Sequence, residues 1–170
     1  MRLSFVKMHG LGNDFAILDG RDAALPQLSQ AQIRALADRH RGIGFDQMIA
    51  LAPSDDADFA MRIYNADGGE VEACGNATRA VGVLHGAEAS IETAGGVLRV
   101  RPGANMAEAA MGVGRFDWQD IPLAYAMDTR EMPLGWDMLE RPSAVNVGNP
   151  HIVFFVDDLS AVPLETLGPE

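Results

Sequence analysis

The chain has 170 residues, 48% of them hydrophobic and 22% charged, and a formal net charge of −11. That balance is globular; it offers no basic face for a phosphate backbone, and no stretch nears the roughly 18 apolar residues of a membrane span. A single cysteine, Cys74, excludes an internal disulfide and any cysteine-rich metal centre built from these residues alone.

The opening run MRLSFVKMHG lacks a long apolar core and a small-residue cleavage site, so the expected location is the cytoplasm. Residues 3–7 and 15–19 are short apolar runs expected as strands, with turn chemistry at His9, Gly10, Leu11, Gly12, Asn13 and Asp14 between them. Ser29 is expected to cap a helix with Ile33, Leu36 and Ala37 on one face, stopping near Gly42. Residues 47–52 and 59–64 read as strands separated by a polar segment, and the NADGG run at 65–69 reads as a turn. A second helix is expected over about 76–85, with Ala77, Ala80, Val81 and Leu84 facing inward and Gly86 at its end. Residues 90–93, 97–101 and 107–111 form an expected meander, and 112–114 a linker. Residues 116–139 show no period, and 143–147 and 151–156 read as strands.

Two segments echo one another. Residues 11–19 read LGNDFAILD and residues 147–157 read VGNPHIVFFVD. Each holds an apolar residue, Gly-Asn, a two-residue corner, an apolar strand and an Asp. Asn13 and Asn149 are 136 positions apart, which suits two similar domains better than a solenoid. Coincidence between two strand–turn–strand units is the other reading. Cys74 follows Asn13 by 61 positions, and the same offset from Asn149 falls near position 210, so the second copy is expected to be incomplete. The expected division is 1–113 for the first domain and 114–170 for part of the second.

Cys74 stands just ahead of the second helix. A helix N-terminus carries partial positive charge and free N–H groups, which favour a thiolate. The N–H groups of Gly75 and Asn76 could bind a carboxylate, and Gly75 would let it come close. A base beside an anion site is the geometry needed to take a proton from the carbon alpha to a carboxylate. The plainer alternative makes Gly75 and Asn76 a cap and Cys74 a core residue. Asn13, Gln47, Asn65 and Asn149 lie at strand ends, where amides serve turns or could hold an amino acid's charged groups without adding net charge. From the residues alone both readings stand.

The motifs together resemble diaminopimelate epimerases. The resemblance rests on KMHGLGNDF at 7–15, GIGFDQ at 42–47, YNADGG at 64–69, ACGNATR at 73–79 and GNPH at 148–151, in that order along the chain. It implies an α/β fold of two similar domains, each a curled mixed sheet around a central helix, with the second incomplete here. It also implies cofactor-independent epimerisation of LL-diaminopimelate to the meso form, in lysine and peptidoglycan precursor synthesis. Carried over by motif position, Asn13, Gln47, Asn65, Gly75, Asn76 and Asn149 would bind substrate. Cys74 would be one acid/base thiol, and His151 would lie close to the second. That second cysteine belongs to a C-terminal motif that these residues do not contain, so this chain alone is expected to be inactive. The partner implied is a small amino-acid substrate, with no nucleic acid or membrane, and the complete protein would be a homodimer. Ala77 departs from the family pattern, in which many relatives have glycine.

Other patterns are weaker. His9, His40, His85 and His151 have no metal-like spacing, and His40 and His85 read as surface residues near helix ends. The Gly-x-Gly pairs at 10–12 and 42–44 lack the third glycine of a dinucleotide fingerprint. Lys7 is the single lysine and sits in an expected strand, which disfavours a pyridoxal phosphate Schiff base. Arg79 reads as a partner of a structural carboxylate or of a substrate carboxylate. A related two-thiol racemase acting on proline-like substrates and a non-catalytic relative of the same fold remain alternatives.

Overall fold

The computed structural model describes residues 3–104 and 106–168. The chain divides into two compact units, the first running through Met111 and the second starting at Gly112.

In the first unit eight strands form one mixed sheet. β1 (Val6–Gly10) and β2 (Asn13–Asp19) make a hairpin, and β2 runs parallel to β3 (Gln47–Ala52). β4 (Phe59–Asn65) is antiparallel to β3 and pairs with the short β5 (Glu70–Val71) and, in parallel, with β6 (Ala89–Thr93). β7 (Gly96–Pro102) and β8 (Ala107–Ala110) complete the meander. The helix α1 (Gln30–Ala37) follows β2, and α2 (Gly75–His85) follows β5.

The alternation of strand side chains sorts the residues of this sheet. Phe15, Ile17, Ile49, Leu51, Met61 and Ile63 meet Ala77, Ala80 and Val81 of α2 in the main core. Their in-between neighbours Ala16, Leu18 and Met48 meet Ile33 and Ala37 of α1 on the opposite face. β2 and β3 are therefore covered on both sides, which explains the unbroken apolar run from Phe15 to Leu18. Burying one such large side chain contributes about 1.5–3 kcal/mol. α2 packs against β1 and β2 as well as β7 and β8, so the sheet curls around it. Both helices are capped by sequence. Ser29 and Gln32 form a reciprocal capping box on α1, and Gly86 closes α2 with φ 77°.

Several expectations need correction. The first strand occupies Val6–Gly10 rather than 3–7, because its bounds follow pairing with β2. Leu11 and Gly12, at φ 56° and 91°, alone turn the hairpin. α1 ends at Ala37, not near Gly42, and residues 42–45 fold back so that Ile43 and Gly44 N–H bond the Leu36 carbonyl. α2 begins one residue earlier than expected, with Cys74 as its N-cap. His85 is no free surface residue: its ring packs on Phe59 at 5.1 Å and Nδ1 accepts from Arg21 at 2.8 Å.

The second unit has little regular structure. β9 (Gly135–Trp136) pairs with β10 (Leu139–Glu140), and β11 (Ser143–Asn146) with β12 (Pro150–Val153). A small core gathers Ile121, Met132 and Ala144. Buried Asn146 bonds the Asp120 carbonyl and the Gly148 N–H, and α3 (Leu164–Leu167) follows a 3₁₀ turn. The strand expected at 151–156 ends at Val153, where its four-residue partner runs out. The two echo segments each sit on an antiparallel hairpin with a positive-φ glycine just before the Asn.

Candidate active site

Strand periodicity extends the core rows into a polar rim. Asn13 continues the row of Phe15 and Ile17, Gln47 that of Ile49 and Leu51, and Asn65 that of Met61 and Ile63. Three amides thus crown the α2 face of neighbouring strands. Gln47 Nε2 donates to Asn65 Oδ1 at 3.0 Å, while the buried Gln47 Oε1 has no partner among the described residues. A buried acceptor left open is costly unless something supplies a donor.

Cys74 sits at the N-terminus of α2. Its Sγ accepts the Ala77 N–H at 3.4 Å and lies 3.7 Å from Asn13 Oδ1. Because Ala77 N–H serves the sulfur, the Gly75 and Asn76 N–H groups of the first turn remain for another anion. A Cβ built on Gly75 would meet Arg79 Nη1 and Met111 Sδ only at 3.7 and 3.8 Å, so packing does not demand a glycine there. Gly10 is different. A Cβ there would stand 3.2 Å from Asn76 Cβ, so its absence lets the hairpin close on the helix start and brings Asn13 to the thiol. Ala77, the departure from the family pattern, is fully buried against the sheet.

A polar network that the sequence did not reveal stands behind Asn13. Its Nδ2 donates to Asp46 Oδ2 at 3.2 Å, and Asp46 Oδ1 accepts from Arg39 at 2.7 Å. Arg39 also bonds Asp14, with Nη2 2.8 Å from Oδ1, and Lys7 Nζ lies 2.7 Å from Asp14 Oδ2. Arg39 foremost, against the cost of burial, and then Lys7 and the Asp46 N–H hold the Asp14 carboxyl well below the usual carboxylate range. Lys7 is further bonded to the Gly44 carbonyl, so the single lysine is engaged in structure. Arg79 bonds Asn76 Oδ1, and among the described residues it forms no ion pair with a structural carboxylate. Arg39 carries no local signal, and Asp46 lies in the GIGFDQ motif without a role of its own there, because their links to Asn13 and Asp14 span 33 and 25 positions.

The structure brings Asn13, Cys74, Gly75 and Asn76 together, with Gln47 and Asn65 on the adjoining strands. Asn149 and His151 belong to the second unit, at the turn and start of β12. There the exposed His151 has Nδ1 2.9 Å from the Asn149 carbonyl oxygen. A mainly apolar cavity of about 530 Å³ lies on the α1 side, lined by Leu18, Leu25, Leu28, Ile33, Met48 and Tyr64 among others. It carries neither the thiol nor the amides. Among the described residues no group of three or more His, Cys, Asp and Glu could hold a metal ion, and no helix is long and apolar enough to cross a membrane.

Comparison with known proteins adds independent findings. Residues 5–116 match the family model described as diaminopimelate epimerase. The chain is 66% identical over 169 residues to a diaminopimelate epimerase of Erythrobacter litoralis, covering 99% of this chain and 63% of that protein. It is 59% identical over 165 residues to one of Sphingopyxis alaskensis, covering 97% of this chain and 61% of the relative. The chain thus spans under two thirds of the length of these relatives. Among solved structures, a hydroxyproline epimerase from Agrobacterium vitis with bound trans-4-hydroxy-L-proline superposes with a TM-score of 0.58. That match is 15% identical and covers 93% of this chain and 53% of the other, a likeness of fold.

Proposed function

The chain belongs to the diaminopimelate epimerase family, and from that premise we propose that its complete protein interconverts LL- and meso-diaminopimelate by proton transfer between two thiols. Cys74 is one of them. The single observation carrying this reading is the placement of Cys74 at the N-terminus of α2, beside Asn13 and the free N–H groups of Gly75 and Asn76. A substrate carboxylate bound to those N–H groups sets its Cα next to the sulfur. Charge that develops on the carboxylate as the proton leaves is stabilised by oriented dipoles that need no rearrangement. The thiolate takes the proton from one face, and the opposite thiol returns one to the other.

These 170 residues hold one cysteine, so the second thiol comes from chain beyond them, and the chain by itself does not turn over. Asn149 binds substrate and His151 stands near the second thiol in the complete protein. The first unit is the N-terminal epimerase domain, and the second is part of its counterpart. Gln47 and Asn65, whose side-chain amides are bonded to each other, hold the distal amino-acid head group. That second head group favours diaminopimelate over proline-like substrates. The complete protein works in the cytoplasm as a homodimer, in lysine and peptidoglycan precursor synthesis.

The test is deuterium exchange at the α-carbon of diaminopimelate, with this chain and with a C-terminally complete protein. Exchange is expected only in the complete protein and is lost in Cys74→Ser. Exchange in neither protein, or an unaffected Cys74→Ser variant, overturns the reading. Turnover of trans-4-hydroxyproline but not diaminopimelate replaces the substrate.

A further inference from the structure

The amides beside Cys74 form a directed chain whose two ends agree. Arg79 can only donate, so its bond to Asn76 Oδ1 turns the Asn76 NH2 outward. That NH2 reaches Asn13 Oδ1 at 3.5 Å. At the other end the Asp46 carboxylate, paired with Arg39, can only accept, so it must face the Asn13 NH2. Amide flips are ordinarily inferred from their surroundings. Here a pure donor and a pure acceptor impose the same polarity from opposite ends. Asn13 is left with its carbonyl oxygen, not its NH2, 3.7 Å from the thiol.

We infer that Asp46 is a positioning residue that locks the Asn13 side chain with its carbonyl toward Cys74, so that the sulfur faces an acceptor for its S–H. A carbonyl lone pair accepts S–H and repels a thiolate, while an NH2 in its place would do the reverse. The lock opposes the α2 N-terminus, which pulls toward the thiolate through the Ala77 N–H. The charged groups around the chain are Arg39, Asp14 and Lys7 on the hairpin side and Arg79 on α2. The inference rests on Cys74 being a proton-transfer thiol, but its test reads the sulfur directly.

Because Cys74 is the only cysteine, its alkylation by iodoacetamide is unambiguous. In Asp46→Ala only the longer Asn76 contact, at 3.5 Å, still holds the Asn13 carbonyl, and the Asn13 NH2 can turn to the sulfur. Alkylation at neutral pH should then quicken by about tenfold, and by nothing above about pH 10, where every thiol is ionised. Loss of a negative charge alone would also quicken the reaction, and a double-mutant cycle separates the two causes. Asp46→Ala added to Asn13→Ala should change nothing if Asp46 acts through Asn13. An equal acceleration in both backgrounds overturns the inference. The unaltered chain provides a test free of folding effects. Nuclear Overhauser contacts from the Asn13 NH2 to the Asp14 backbone N–H support it, and contacts to the Ala77 N–H overturn it. Should the cycle fail while the complete protein still exchanges the substrate α-proton, the positioning role falls and the epimerase reading stands.

Discussion

At Asp14 two cations and a backbone N–H converge on one carboxylate: Arg39, Lys7 and the Asp46 amide. Such a lowered group contributes stability that is fully present above its ordinary value of 3.8 and is lost as pH falls through the lower folded value. Urea unfolding should therefore find Asp14→Asn less stable than the wild type near about pH 7, with the gap narrowing near about pH 2. A gap that is constant across that range would show that charge at Asp14 does not couple to folding. Residues of this kind divide by how far their contacts reach. Asn13, Cys74 and Asn76 announced themselves through a motif and a helix start. Arg39 did not, and Asp46 stood in the GIGFDQ motif without a role, because a carboxylate near a glycine turn and an arginine after a helix look like ordinary solvated charges until the hairpin and the 38–46 segment meet.

Among the elements, α2 shows a conflict between stability and chemistry. Its N-cap is a thiol, a poor acceptor, where serine is among the preferred caps. Cys74→Ser should raise the stability of the first unit by roughly 0.5–1 kcal/mol in urea unfolding, while removing α-carbon exchange from the complete protein. A destabilised variant would mean that packing of the sulfur against the core outweighs its capping role. β3 has the bounds its sequence suggested, since both its ends are marked by polar segments. The first strand slid three residues because an edge strand takes its limits from its partner. β5, two residues long, carries no pattern of its own and exists through pairing with Ile63 and Tyr64 of β4.

For the molecule as a whole, both core clusters around the sheet are built from residues before Met111. A chain ending at Met111 should therefore fold cooperatively, with a dispersed amide spectrum and a single thermal transition. A collapsed, poorly dispersed spectrum would mean that the first unit depends on residues after the break. The sequence by itself determined the two caps, β3 and the other inner strands of the sheet, the Gly-Asn turns and the motif set around Cys74, because these depend on neighbours within a few positions. Tertiary structure alone decided that the sheet is covered on both faces, that Gly10 admits the hairpin to the helix start, and that Asp46 and Arg79 orient the amides beside the sulfur. Those outcomes depend on contacts between strands, helices and loops far apart in the chain, which no local period encodes.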